Sequence, residues 1–264
     1  MLLCRLSSQY GPSHRVAARS PLLLGSPGSA MIVVEDGSSL LFVTQPDHAR
    51  FAAELLALWR TDGLPGHPRR QRLLTAVREH DNGWQEADAA PRVDPTSGRP
   101  YDFLSLPLAP RLEVWERGTE RFLADEPYVA LLTAHHALSL HRHERREPGW
   151  MELLDRLEES REELEERAAV TSDQVARDYR FLELADALSL TVCNRWSDPV
   201  ERPGTRGVFR DGHLRLDPFP LAGVTSFEIP VRSVPNRSFV GDADLGGELA
   251  TARWKHLKIK VIPA

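Results

Sequence analysis

Two rhythms of apolar and polar positions divide the chain. Residues 32–45 are dominated by β-branched and aliphatic side chains on either side of Asp36-Gly37. Runs of that kind split by Asp-Gly predict two short strands and a tight turn. From Pro46-Asp47 the spacing becomes helical. Phe51, Leu55, Leu58 and Trp59 recur at three- and four-residue steps, with His48 in the first turn pointing the same way. Asp62-Gly63-Leu64-Pro65-Gly66 ends that helix. Pro68 suits the first position of the next one, on which Leu73, Leu74, Val77 and His80 form one buried stripe. Asp81 follows about 100° round, and Asn82-Gly83 stops the helix.

Prolines at 91, 95, 100, 107 and 110 then predict a long loop, with Trp84, Tyr101 and Phe103 available to pack over a site. A helix restarts at Asp125-Glu126-Pro127 and carries Leu132, His136 and Leu140 along one face, with His135 on the adjacent one. His141 and His143, near its C-terminal end, are expected at the surface, where cations suit the helix dipole. Residues 151–169 read as one charged, solvated helix with a narrow leucine stripe. Thr171-Ser172-Asp173 caps the last long helix, expected to run to Trp196. Within it Asp186 sits in an apolar segment, in register with Tyr179, Leu182 and Ser189; burying it requires a cationic partner. Beyond Pro199 the period returns to two, with a hairpin at Asp211-Gly212 and strands over Phe227–Val234 and Leu257–Ile262.

The expected fold is α+β, mainly α: a helical bundle over about 46–197, packed on one antiparallel sheet made from the N-terminal hairpin and the β-rich part over about 205–264. Residues 31–264 form one domain, and residues 1–30, rich in Ser, Arg, Pro and Gly, are expected to be a poorly ordered extension. Met31 is a candidate start of translation.

Charge and composition narrow the partners. A net charge of −5 offers no general attraction to nucleic acid or an anionic membrane, so neither is expected as a partner. Two cysteines exclude a disulfide scaffold and a thiolate-rich zinc site, and fit a cytoplasmic, reducing setting. Arg69, Arg70 and Arg142 are conceivable phosphate clamps, although arginine is more often simply exposed.

A single His-Asp dipeptide is weak evidence in a chain with ten histidines. The order of inward-facing positions is stronger: His48, then His80-Asp81, then His136 (or His135), then Asp186. It resembles the H…HD…H…D pattern of the HD-domain superfamily of metal-dependent phosphohydrolases. The surrounding segments, Thr44-Gln45-Pro46-Asp47-His48, His80-Asp81-Asn82-Gly83-Trp84, Ala134-His135-His136 and Ala185-Asp186-Ala187, resemble more narrowly a bacterial family described only as a domain of unknown function. The superfamily pattern implies an HD-like bundle and makes His48, His80, Asp81 and Asp186 metal ligands. It adds His136, with His135 as the alternative, for a second ion. Gln45 and Trp84, the latter just past the Gly83 break, are expected at the pocket. Imidazoles and carboxylates without thiolate suit one or two Mn, Fe, Co, Ni or Zn ions. The implied activity is hydrolysis of a phosphoester or nucleotide by a metal-activated water. The same scaffold also admits an iron-dependent oxygenase or a non-catalytic metal- or ligand-binding module.

Overall fold

A computed structural model describes residues 31–264. The expectations for residues 1–30 lie outside the described residues. The chain opens as foreseen, with a hairpin of β1 (Ile32–Asp36) and β2 (Ser39–Val43). Gly37 takes a φ of +61° in the turn, a conformation that glycine adopts without strain. Helix α1 (Gln45–Ala57) follows at once. The Thr44 hydroxyl caps it by accepting from the Asp47 amide at 3.1 Å. Helix α2 (Arg70–Glu79) begins two residues after Pro68 and ends with His80 as its C-cap.

The proline-rich stretch is not one long loop. It contains a short helix α3 (Gln85–Ala89) and a full helix α4 (Leu108–Glu120). Pro107 is the N-cap of α4 and Pro110 lies in its first turn, where a missing backbone N–H costs no intrahelical bond. Prolines that looked like breakers start the helix. The charged segment likewise divides into α6 (Pro148–Glu159) and α7 (Arg161–Ala168), after α5 (Pro127–His141). Helix α8 (Ser172–Cys193) opens with a capping box between Thr171 and Gln174 and stops short of Trp196. The C-terminal part adds β3 (Val200–Arg202), β4 (Thr205–Arg210), β5 (His213–Asp217), β6 (Thr225–Pro235), α9 (Asp242–Thr251) and β7 (Trp254–Pro263).

The strands form a single seven-stranded sheet in the order β1-β2-β6-β7-β5-β4-β3. The N-terminal hairpin joins the C-terminal strands through β2 and β6, where Leu40 faces Val234. The sheet is mixed, because β7 enters between β6 and β5 and pairs antiparallel with the first but parallel with the second. The expected HD-like helical bundle with a small antiparallel sheet is therefore corrected. About 49% of the described residues are helical, and the helices pack on a large, curled, half-barrel sheet. The local alternation identified most strands; strand order depends on long-range pairing that no local pattern carries.

Alternate residues of the sheet, including Leu214, Leu216, Ile229, Val231, Ile259 and Val261, face the main core. There they meet Leu55, Leu56, Leu73, Val77, Leu131 and Leu188 from α1, α2, α5 and α8. Each such buried aliphatic side chain contributes roughly 1.5–3 kcal/mol relative to exposure. Gly207 lets α8 approach, since a Cβ there would lie 2.5 Å from Leu188 Cδ2. The other face of β2 packs Leu40 and Phe42 on Leu245 and Leu249 of α9. Covered on both faces, the N-terminal half of the sheet gives α1 a rigid support, on which α2 packs in turn.

Candidate metal centre

Helices α1, α2, α5 and α8 converge in the interior, each bringing a His or Asp from its buried side. The turn after α2 is the most constrained part. Asn82 Nδ2 donates to the carbonyls of Glu79 (2.7 Å) and Gly118 (3.0 Å), tying the end of α2 to α4. Gly83 lies against the α4 backbone, and a Cβ there would stand 2.0 Å from the Val114 carbonyl oxygen. Arg117 of α4 donates from Nε and Nη2 to the Gly83 carbonyl, and Arg121 Nη1 donates to that of Asn82 at 2.7 Å. Those contacts hold Asp81, one residue upstream, in place.

Five predicted side chains are brought together. His48 and His80 are fully buried, His136 nearly so, and the side chains of Asp81 and Asp186 keep 9% exposure each. His48 Nε2 lies 2.9 Å from Asp81 Oδ2 and 3.7 Å from Asp186 Oδ1. His80 Nε2 lies 3.4 Å from each of the same two oxygens, and His136 Nε2 is 3.9 Å from Asp186 Oδ2. The three imidazoles meet edge to face, with ring centroids 5.1 Å apart for His48–His80 and for His80–His136.

The outer ring nitrogens fix which nitrogens turn inward. His80 Nδ1 donates to the Val77 carbonyl at 2.7 Å, so a neutral His80 carries its lone pair on Nε2. Ser189 Oγ donates to the Asp186 carbonyl at 2.9 Å. Its oxygen lies 2.7 Å from His48 Nδ1, and His48 Nε2 is at hydrogen-bonding distance, 2.9 Å, from Asp81 Oδ2; when Nδ1 donates to Ser189, the Nε2 lone pair of a neutral His48 is free for a metal. His136 Nδ1 is 3.1 Å from the Tyr179 hydroxyl. These are the partners that metal-binding histidines use to set tautomer and ring orientation.

With the outer ring nitrogens protonated and the imidazoles neutral, the inner atoms form a set of acceptors. His80 Nε2 is buried and has no hydrogen-bond partner, although two carboxylate oxygens stand near it. Such an arrangement needs a cation, because buried carboxylates are costly when uncompensated. Without a metal ion the cation is a proton. Burial alone would lower the His80 pKa, but Asp81 and Asp186 raise it to about 9. Burial pushes His136 down to about 4. Asp81 and Asp186 are held below the ordinary carboxylate range: burial opposes this, but the surrounding imidazoles outweigh it. The donors also fit a metal ion. His48, His80 and Asp186 form one group, and His80, Asp81 and His136 another, with ligand atoms within 4.8 Å of one another in each. Three imidazole nitrogens and two carboxylates suit a first-row divalent ion that keeps a position open.

His135 is not part of the cluster. Its ring packs edge-on to Tyr179, at 4.6 Å between centroids. Trp84 is buried but reaches the centre only through Trp115, which packs edge-on to His136. Gln45 is buried at the start of α1, where its backbone N–H donates to Asp88 Oδ2 at 2.7 Å. His141 is not at the surface, contrary to expectation. It stacks on Trp150 at 3.8 Å and pairs with Glu144. Arg70 caps α1 through the Ala57 carbonyl, Arg142 is exposed, and Arg69 binds Asp178. The roles of Ser189 and Tyr179 were not foreseen, although both share the helical register of Asp186. Trp115 gave no signal, because α4 itself was not foreseen.

The chain belongs to a family of proteins of unknown function (DUF3891), which matches residues 31–236 and so includes all five converging side chains. No curated protein and no solved structure matches it.

Proposed function

We propose that this member of the DUF3891 family is a metal-dependent phosphohydrolase acting on a phosphoester or nucleotide, with water as the nucleophile. The observation that carries the reading is His80 Nε2, buried, without a hydrogen-bond partner and set between two carboxylates. The order His48, His80-Asp81, His136, Asp186 supports it, being that of the HD superfamily. The reading rests on this order and on the donor set, not on a shared bundle. When bound, a Mn, Fe, Co, Ni or Zn ion polarises a phosphoryl oxygen and lowers the pKa of a water towards about 7. Both donor groups include His80, whose Nδ1 is committed to the Val77 carbonyl; its one remaining lone pair serves one ion, so a single ion per chain is expected.

The chain's own residues supply the rest. Asp81 and Asp186 together balance a divalent charge. They also retain the site's contact with solvent, making the carboxylate side the route for water and a phosphoryl group. Behind His136, Trp115 and Trp84 exclude water from the inner side. Among the described residues no helix is long and apolar enough to cross a membrane. We assign the activity to the cytoplasm, a setting that fits the free, buried Cys193.

The test is metal analysis of protein purified without added metal, followed by phosphate release from a panel of nucleotides and phosphoesters. Stoichiometric metal with phosphate release supports the proposal. Absence of metal uptake removes its basis, and iron with an O₂-dependent absorption spectrum would assign oxygenase chemistry instead.

A further inference from the structure

A cleft of about 600 Å³ opens between the N-terminus of α2, the first half of α8 and the end of β3. None of the five metal-centre side chains lines it. Its fixed point is Asp178, a buried carboxylate. Asp178 Oδ2 accepts from Tyr128 Oη at 2.6 Å and from Arg69 Nε at 2.9 Å, while Oδ1 lies 2.9 Å from His67 Nε2. The Arg69 amide donates to His67 Nδ1, which leaves His67 Nε2 as the donor to Asp178. Arg69 and His67 are thus held rigidly at the wall.

The other carboxylates of the cleft are engaged as well. Asp62 accepts from Trp59 Nε1 and Thr61 Oγ1, and Glu183 faces Arg202 at 3.4 Å. The guanidiniums are less fully used. Arg177 and Arg180 make no hydrogen bond or ion pair among the described residues. Arg202 has a side chain only 10% exposed; its Nε faces Glu183 in an ion pair without a full hydrogen bond, and its Nη1 donates to the Glu201 carbonyl at 3.1 Å. The cleft gathers four arginines against three carboxylates in a chain whose net charge is −5. The N-terminus of α2, which no side chain caps, opens on it and adds the positive end of a helix dipole. Phe181 and Leu184 supply an apolar wall.

We propose that this cleft is a second ligand site, separate from the metal centre, for a small phosphate monoester with a planar or apolar body. Arginines with unused donors suit the phosphate oxygens, and Phe181 suits the body. The volume is that of an ordinary small-molecule site. The proposal stands independently of the chemistry assigned to the metal centre.

Isothermal titration calorimetry of the full chain with AMP, inorganic phosphate and adenosine tests it. AMP is expected to bind both metal-loaded and chelator-treated protein, adenosine is not, and phosphate is expected to bind more weakly than AMP. In Arg177→Ala/Arg180→Ala, both changes being on exposed positions, AMP affinity should fall about tenfold or more, as expected for losing charge-assisted hydrogen bonds. A folded Arg69→Gln variant, checked by its circular dichroism spectrum, should weaken AMP comparably. No AMP binding at millimolar concentration overturns the proposal. So does binding that the double variant leaves intact, or binding that disappears on chelation, since the last places AMP at the metal centre.

Discussion

His80 Nε2 stands 3.4 Å from Asp186 Oδ1, and neither atom has a proton to offer when the imidazole is neutral. The two belong to helices far apart in sequence and come together in the interior. Their approach defines what the centre must hold. His80→Ala and Asp186→Ala should each reduce bound metal from about one ion per chain to near zero, whereas His135→Ala should retain it. Mass spectrometric metal analysis of the purified variants checks this, and full occupancy in both of the first two would remove the assignment.

Ser189 acts on the centre without touching an inner atom, since its oxygen accepts from the outer nitrogen of His48. Ser189→Ala should leave the fold intact at a cost of about 1 kcal/mol. It should weaken metal affinity about 10–100-fold, because His48 is then free to rotate and change tautomer. Competition with a chelator of known affinity measures the change, and unchanged affinity would show that packing alone orients His48.

Much of this arrangement is legible in the sequence because it rests on helical period. His48 and His80 sit on apolar stripes, and Asp186 is a charge that its segment cannot bury alone. The choice of His136 over His135 required the packing of Tyr179, and adjacent positions on one helix could not separate them. Helix α4 was hidden because Pro107 and Pro110 act as starters only when placed at its first turn. With α4 went Trp115, Arg117 and the reason for Gly83. The partners of Asp178, drawn from two segments far from it in sequence, carry no sequence signature.

Gly83→Ala should be the most damaging single change near the centre. The added carbon would approach the Val114 carbonyl oxygen to 2.0 Å, and both sides of that contact are backbone. A loss exceeding the roughly 1–3 kcal/mol of ordinary overpacking is expected, read as a large fall in Tm or as insoluble protein. A variant with an unchanged Tm would mean that α4 can move away from the turn.

Glu144 gives the acid side of stability a defined contribution. Burial opposes its ionisation, but His141 and Arg111 outweigh this and hold its pKa down to about 2, against an ordinary 4.5. A lowered carboxylate pKa stabilises the fold above the unfolded value. The contribution is therefore complete above about pH 5 and declines as pH falls towards 2. Glu144→Gln should cost about 1–3 kcal/mol at neutral pH and little near pH 2. Urea unfolding across that range measures it, and parallel curves for variant and parent would exclude the effect.

The pairing of Leu40 with Val234 has a consequence for how the protein is made. All four ligand-bearing helices are synthesised after β2 and before β6. During that interval β2 has one edge without its neighbour and one apolar face, bearing Leu40 and Phe42, without α9. Pairing of such high contact order is slow, and exposed strand edges are where nascent chains associate wrongly. A chain terminated just ahead of β6 would thus carry every metal donor, with β1–β2 and β3–β4–β5 left as two separate pieces of the sheet.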